Sequence, residues 1–402
     1  MPALPPIRPI RITSGGQVPL RDIVGRDETI ASWWKDLDGT SLRLNEPRRI
    51  GKTTALRKMA SEPPPGWLCT LTTLEGRTTT LDLVNHALAD LSTHANQSKV
   101  FDVVRKSLRH VKEIDLEFPG VKVQVGPGSN PLSAFDALVR VLHETDAVLE
   151  KQNRRLLIIW DEFPDTIRAI SEKEGVDVAA DIMGVFRALR ESYETRHIRW
   201  ILCGSVGFHH ALRQLRSGLG PIDDLAVAPL GPLSPEWAQW LAACYLRSLD
   251  LTDLGEAAPW LAKESDGIPF VMELMVKAIS MGAPQPTNLA EARQLLVSAA
   301  TGTLTEGLPL LERVSRLYGD NVGLANWILD RIGEAPRTSA ELVRGIHGQA
   351  GLTTIPDDET VSEVLDLLIY DHYITCDPST GLLTWTYPCL ETIWSTRRRR
   401  FS

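Results

Sequence analysis

Continuous apolar runs alternate with stretches of helical periodicity in the first half of the chain. The clearest run lies at 154–160 and ends at Asp161 and Glu162, and similar runs lie at 67–71 and 198–203. Runs of this length are typical of strands that are buried on both faces of a parallel sheet. Because helical stretches separate them, we predict a three-layer α/β domain built on a parallel sheet.

The same patterns predict the remaining elements of this part of the chain. Helical spacing of apolar residues favours helices, which we place at 27–37, 53–61, 81–91 and 132–149. Shorter apolar runs favour strands just before residue 46 and at 223–230. Apolar and polar residues alternate on either side of Pro119 and Gly120, which predicts an exposed hairpin over 114–125.

Beyond Pro232 the pattern becomes helical. Successive helices are predicted from Ser234 onward and at about 256–264, 269–281 and 288–299. From about residue 303 a further unit begins, with predicted helices at about 304–318 and 322–332, a short helix opened by the capping-box sequence at 338–341, and a helix at about 359–372. Two short strands around 373–376 and 382–385 complete a pattern that resembles a winged helix-turn-helix.

Composition excludes several classes of protein. The chain has 402 residues, 43% of them hydrophobic, which is typical of a globular protein with more than one packed domain. Its five cysteines are widely spaced, so we expect reduced thiols and no structural metal. The net charge of −8 does not attract nucleic acid to the molecule as a whole. No signal sequence or membrane-spanning run is recognisable, so a cytoplasmic protein without a membrane partner is expected.

The tripeptide Gly51-Lys52-Thr53 lies between a predicted strand and a predicted helix. Backbone amides at the start of that helix would point at an anion. Lys52 would reach the β and γ phosphates of a nucleotide, and the Thr53 hydroxyl would bind magnesium. The tripeptide therefore predicts an ATP site.

Glu46 stands where the full phosphate-binding motif has a glycine, six residues before the lysine. A carboxylate so close to phosphates would repel them, unless it turned outward or paired with Arg48 or Arg49. Support for the site must therefore come from elsewhere in the chain.

Polar side chains follow two of the predicted strands. Asp161 would hold magnesium, and Glu162 would orient or deprotonate the attacking water. Gly204 and Ser205 follow the next strand and would place a small hydroxyl beside the γ phosphate. The alternatives are a solvated acidic turn and an ordinary Gly-Ser turn.

Five segments carry a resemblance to a known family. They read IVGRDETIASWW (23–34), NEPRRIGKTT (45–54), IIWDEFP (158–164), ILCGS (201–205) and DGIPF (266–270). Together they resemble the STAND-type P-loop ATPases, in particular the branch usually called archaeal-type ATPases, over roughly residues 20 to 290. The resemblance implies an ATP-driven switch that uses Mg2+.

The resemblance also implies roles for individual residues. Val24, Gly25 and Arg26 would pack near the adenine, and Pro269 would approach the base from a lid, although a proline in the first turn also suits an ordinary helix start. Nucleotide-binding positions are then Val24, Gly25, Arg26, Pro47, Arg48, Arg49, Ile50, Gly51, Lys52, Thr53, Thr54 and Pro269. Catalytic positions are Glu162, Lys52 and Ser205, and magnesium ligands are Thr53 and Asp161.

These patterns and the resemblance together predict the organisation of the chain. The fold class is α/β: a three-layer P-loop NTPase domain with a parallel sheet, followed by an all-helical lid and a winged helix-turn-helix domain. The predicted parts are an extended N-terminal segment (1–20), a P-loop ATPase domain (21–231), a helical lid (232–302) and a winged-helix domain with a basic C-terminal tail (303–402).

The partner remains open at this point. In related ATPases a winged helix commonly packs on the nucleotide domain or forms oligomer contacts, so a homo-oligomer or a protein effector is expected. The predicted recognition helix and its approach carry acids that would repel DNA phosphates, at Asp357, Asp358, Glu359, Glu363, Asp366 and Asp371. Four arginines at 397–400, interpreted as a solvated tail, keep an ATP-controlled DNA-binding regulator as the alternative.

Two further possibilities concern turnover. Arg213 and Arg216 follow the third strand and are candidates for an arginine finger if subunits stack. Glu46 also leaves room for a scaffold that binds nucleotide without hydrolysing it.

Overall fold

The structure is a computed structural model that describes residues 4–13, 16–93, 115–117, 122–124, 131–204, 207–215, 220–249, 257–301, 310–346 and 356–401. The chain divides into two compact units. The unit that we call the sheet unit consists of Glu28–Asn45 and Lys52–Pro229. The helical unit consists of Met1–Asp27, Glu46–Gly51 and Leu230–Ser402.

A parallel sheet forms the centre of the sheet unit. The strands described in this unit are β1 (Leu42–Asn45), β2 (Trp67–Thr73), β3 (Asp115–Glu117), β4 (Lys122–Gln124), β5 (Arg155–Asp161), β6 (Ile198–Gly204) and β7 (Ala226–Val227). Five of them pair in parallel in the order β2-β5-β6-β1-β7. The predicted parallel sheet is therefore confirmed, and the carboxyl ends of β1, β5 and β6 meet at one edge.

Two strand predictions have different outcomes. The hairpin predicted over 114–125 is present as the antiparallel pair β3 and β4, with Asp115 opposite Gln124. The strand predicted at 223–230 is present, but its predicted extent is wrong, because only Ala226–Val227 pairs with β1. Among the described strands, β7 lies at the edge of the sheet and pairs on one side alone, so long pairing is not required.

Helices pack around this sheet. They are α1 (Asp27–Asp36), α2 (Lys52–Ser61), α3 (Thr80–Thr93), α4 (Pro131–Lys151), α5 (Phe163–Glu174), α6 (Val176–Glu191) and α7 (Phe208–Gln214). The sequence patterns predicted the first four but assigned no helix to the last three. α5 and α6 meet at Gly175, whose φ of 110° favours glycine.

Aromatic side chains fill the core of the sheet unit beside β5. Trp160 lies 5.0 Å, between ring centroids, from both Phe186 and Trp200, and 5.5 Å from Phe163. All four side chains are almost fully buried. Because Trp160 immediately precedes Asp161, this cluster fixes the end of β5 from which the acidic pair follows.

The end of β6 approaches the start of α5 very closely. A Cβ atom at Gly204 would lie 2.6 Å from Cγ and 2.7 Å from Cδ of Pro164, so a side chain does not fit there without movement of a rigid ring. We expect Gly204→Ala to lower the free energy of unfolding by about 1–3 kcal/mol, measured by urea denaturation. The control is Gly184→Ala on α6, where a Cβ meets nothing within 4 Å. That change should raise the free energy of unfolding by about 0.5–1 kcal/mol, and an equal effect of both changes would contradict the steric argument.

The helical unit has its own hydrophobic core. Its helices are α8 (Pro235–Arg247), α9 (Ala257–Glu264), α10 (Pro269–Ser280), α11 (Leu289–Thr301), α12 (Leu310–Tyr318), α13 (Val322–Glu334), α14 (Ser339–Ile346), α15 (Asp358–Tyr370) and α16 (Pro388–Phe401). Three short strands, β8 (Arg337–Thr338), β9 (Ile374–Cys376) and β10 (Leu382–Trp385), form an antiparallel sheet in the order β8-β10-β9. Among the described residues no helix combines the length and hydropathy needed to span a membrane.

The arginine run at 397–400, which was interpreted from its charge as a solvated tail, lies in the helix α16. Arg398 donates to the carboxylate of Asp330 at 2.7 Å, and the indole of Trp394 donates to the same carboxylate at 2.8 Å. Trp394 is almost fully buried. This helix was not predicted, because the charges at its end conceal the apolar residues that precede them.

Candidate nucleotide-phosphate site

The segment 46–51 links β1 to α2 and has an unusual backbone. Arg49 and Gly51 have φ values of 69° and 106°, in the region that non-glycine residues rarely adopt. α2 begins at Lys52, and the first amides of a helix have no partner within the helix. The chain therefore turns sharply and leads into a helix start, the kind of position where backbone amides can bind an anion.

Two predicted magnesium ligands are in direct contact in the sheet unit. The Thr53 hydroxyl on α2 donates to Oδ2 of Asp161 at 2.6 Å. The other oxygen of Asp161, Oδ1, accepts the backbone N–H of Glu162 at 3.1 Å, which holds the carboxylate in one orientation. A hydroxyl and a carboxylate this close fit a magnesium ion, because magnesium prefers oxygen ligands and is bound by few protein groups.

Glu162 has a left-handed backbone, with φ 60° and ψ 32°. It occupies the position before the first residue of α5, and its carbonyl accepts the N–H of Thr166 at 3.3 Å. Such a conformation in a residue other than glycine costs free energy and is found mainly at functional sites. The strand β5 therefore ends in a strained turn at the residue to which we assign catalysis.

Cys203 on β6 lies beside the same carboxylate. Burial raises the pKa of its thiol well above the ordinary value, and the charge of Asp161 raises it further. The thiol is consequently protonated at neutral pH. Cys203 was not among the predicted site residues, although it directly precedes the predicted Gly204-Ser205 pair.

Three of the predicted positions lie beyond the end of β6. Ser205, the predicted γ-phosphate sensor, lies outside the described residues, as does Arg216. Arg213 is described and is exposed on α7.

Arg26 is buried in the helical unit and binds backbone carbonyls. Its Nη1 donates to Gly231 at 2.9 Å, to Leu230 at 3.2 Å and to Pro232 at 3.4 Å, and its Nη2 donates to Ile50 at 2.8 Å. Burial lowers its pKa to about 10, and the nearby Glu46 charge opposes that shift. Arg26 therefore remains charged at neutral pH and ties the loop residue Ile50 to the 230–232 backbone.

Glu46 is also buried, with 5% of its surface exposed. Its Oε1 accepts the N–H of Leu230 at 2.9 Å and that of Gly231 at 3.4 Å. The prediction considered an outward-turned carboxylate or a pair with a neighbouring arginine. The carboxylate is turned inward to backbone amides that are distant in sequence, which the sequence could not indicate.

The Val24-Gly25 turn is tightly packed in the helical unit. Gly25 has a φ of 66°, and a Cβ atom there would lie 2.8 Å from Cγ of Trp237 and 3.0 Å from a methyl of Leu233. Val24 is half-buried against the core of this unit. Only glycine fits at position 25, which gives the Val-Gly-Arg segment a structural role beside the one that the resemblance implies.

Pro269 is the first residue of α10, and the residue before it, Ile268, occupies the cap position. Asp266, which lies shortly before this helix, accepts the N–H of Cys389 at 2.7 Å. The guanidinium of Arg49 lies 4.8 Å from the ring centroid of Phe270. Within the helical unit, the phosphate loop and the start of α10 are therefore in contact.

The remaining predicted positions lie on the loop or on α2. Of these, Pro47 and Ile50 are buried, and Arg48 and Thr54 are half-buried. Lys52 has only 6% of its surface exposed.

No protein-family model matches the chain, and no curated protein matches it either. Solved structures do match. A Walker-type ATPase from Pyrococcus abyssi is 16% identical, with a TM-score of 0.60, over 93% of this chain and 97% of that chain. At this identity the likeness shows the fold, which is that of the Walker-type, P-loop ATPases. The ORC2 protein of Aeropyrum pernix, solved as ADPNP-ADP complexes, is 15% identical over 98% of both chains, with a TM-score of 0.49.

Proposed function

We propose that this protein binds ATP with magnesium, hydrolyses it to ADP and phosphate, and acts as a molecular switch of the STAND type. The observation that carries the proposal is the 2.6 Å contact of Thr53 with Asp161, next to Lys52 at the first position of α2. A helix start, a lysine, a hydroxyl and a carboxylate are the groups that a nucleoside triphosphate and its magnesium ion require.

Each of these side chains then has a chemical role. The Lys52 ammonium compensates the charge of the β and γ phosphates, and the amides at the start of α2 hold the phosphate oxygens. Thr53 and Asp161 hold magnesium, which would neutralise charge that develops on the phosphates. Glu162 orients a water molecule and takes its proton as the water oxygen bonds to the γ phosphorus, while the bond from that phosphorus to the bridging oxygen breaks and ADP leaves.

The other assigned residues supply recognition. Val24, Gly25 and Arg26 form the adenine side of the site, and Pro269 approaches the base. Arg48 or Arg49, together with Ser205, reads the γ phosphate. The packing of the Val-Gly-Arg turn and the contact of Arg49 with Phe270 support this assignment, because both hold the recognition segments in a defined conformation.

The switch proposal requires that ATP and ADP stabilise different packings. We propose that hydrolysis resets either self-association or the binding of a protein effector, with the C-terminal helices and the β8-β10-β9 sheet serving as a winged-helix domain. α15 is acidic, with Asp358, Glu359 and Asp366 among its residues, and Arg398 is occupied by Asp330. These charges disfavour DNA phosphates, so the DNA-binding regulator is not our proposal.

The experiment is light scattering on the purified protein with ADP, with ATP or with a non-hydrolysable ATP analogue, all with magnesium. Phosphate release is followed in the ATP sample. We expect phosphate release, and a larger mass with the analogue than with ADP. An unchanged mass with turnover would contradict self-association and direct the search to an effector. Absence of both nucleotide binding and phosphate release would contradict the proposed function itself.

A further inference from the structure

We propose that Glu46 is a positioning residue, which together with Arg26 clamps the phosphate loop to the 230–231 backbone and so sets the affinity for nucleotide. The inference rests on the proposed function, because it assigns a role within that same site. In this proposal the Glu46 carboxylate increases the affinity for nucleotide. The sequence led to the opposite expectation, because a carboxylate at this position repels phosphate.

The geometry of the clamp includes both ends of the loop. Glu46, the first loop residue, accepts the N–H groups of Leu230 and Gly231. Arg26 donates to the carbonyls of those same two residues and also to Ile50, the next-to-last loop residue. The backbone of residues 230–231 thus donates its N–H groups to Glu46 and offers its carbonyl oxygens to Arg26.

Burial explains why the clamp depends on both of its members. Arg26 is 3% exposed and Glu46 is 5% exposed, so each charge has lost most of its hydration. The charge of Glu46 stabilises the guanidinium against burial. When one member of a buried pair of opposite charges is removed, the other is left uncompensated, which is costly.

A displaced loop binds phosphate poorly, because its amides must all point at the same anion. Ile50 is held through its carbonyl immediately before Gly51, whose φ of 106° sets the final turn into α2. Loss of the clamp at Glu46 therefore weakens the binding of ATP and of ADP alike, since both carry the β phosphate that the loop would hold. Turnover at saturating ATP changes little, because Glu162 and Asp161 lie in the sheet unit and remain intact.

The test compares Glu46→Ala and Glu46→Gln with the wild type by calorimetric titration with ATP–Mg2+ and with ADP. We expect Glu46→Ala to weaken the binding of both nucleotides about tenfold or more. Glu46→Gln keeps an oxygen that can accept the two N–H groups, so it should restore part of the affinity. Repulsion of phosphate by Glu46 predicts the opposite order, in which both variants bind more tightly than the wild type.

The matched control is Asp371→Asn, the same chemical change at another buried carboxylate of the helical unit. Asp371 is 2% exposed and accepts the Tyr318 hydroxyl at 2.9 Å. This variant should unfold at a lower temperature than the wild type yet bind nucleotide with unchanged affinity. If it weakened nucleotide binding as much as Glu46→Ala does, the effect would be one of general destabilisation and the clamp would be rejected.

The remaining outcomes separate this inference from the proposed function. If the wild type binds ATP and Glu46→Ala binds it equally well or more tightly, the clamp alone is wrong. If Glu46→Ala does not fold, Glu46→Gln carries the test, and tighter binding than wild type in that variant rejects the clamp. If the wild type itself binds neither nucleotide, the proposed function fails and the clamp fails with it.

Discussion

Replacement of Lys52 by alanine is expected to abolish the binding of ATP and ADP, with a loss of affinity of about 100-fold or more. Lys52 is the first residue of α2 and is almost fully buried, so it stands at the helix start that the proposed phosphate site uses. No other side chain at this helix start can supply the charge, because the residues that follow are two threonines. The measurement is calorimetric titration with each nucleotide in the presence of magnesium.

The control for this prediction lies on the same helix. Lys58 is a half-buried lysine in the last turn of α2, well away from the helix start. Lys58→Ala removes an equal charge and should leave both affinities unchanged. Undiminished binding by Lys52→Ala, or an equal loss in both variants, would contradict the assignment of the phosphate site.

Glu162→Gln is expected to bind ATP normally and to release phosphate about 10²- to 10⁴-fold more slowly than the wild type. Glutamine keeps the size of the side chain and its hydrogen-bonding oxygen, but it cannot accept a proton from water. The strained backbone at this position is expected to persist, since Asp161 still accepts the N–H of residue 162. Binding by calorimetry and phosphate release at saturating ATP separate the two effects.

Glu172→Gln is the matched control, because Glu172 is an exposed acid near the end of α5, the helix that begins directly after Glu162. Its carboxylate accepts from Arg168 at 2.6 Å. This exposed pair contributes little to stability, so the variant should turn over ATP as the wild type does. Normal turnover by Glu162→Gln would remove Glu162 from the reaction and leave its backbone strain without a catalytic explanation.

Sequence patterns revealed the parts of the fold that depend on local periodicity and burial. The run that ends at Asp161 predicted β5 correctly because a strand buried on both faces needs apolar residues throughout. The edge strand β7 was overextended because an apolar run does not reveal how many residues find a pairing partner. α5 and α6 were missed where Pro164 and Gly175, usually breakers of regular structure, instead start a helix and join two helices.

The candidate site was predictable to a similar extent. Lys52, Thr53, Asp161 and Glu162 follow directly from a loop motif and a strand end, and the contact of Thr53 with Asp161 agrees with that interpretation. The role of Glu46 was not predictable, because the amides that it binds belong to residues in another part of the chain. Whether a polar residue in a motif favours or opposes ligand binding depends on its hydrogen-bond partners. Hydrophobic periodicity carries no information about those partners.

The hydrogen bonds that hold the phosphate loop have a consequence for the order of events on the ribosome. Glu46 is separated by 184 positions from Leu230, and Arg26 by 204 positions from the same residue. Neither bond can form until residue 230 has been synthesised and has left the exit tunnel. The sheet unit contains no residue beyond Pro229, so its whole sequence emerges before Leu230 and Gly231, the residues that Glu46 binds. The nascent chain therefore completes the sequence of its parallel sheet before it can give the phosphate loop its final shape.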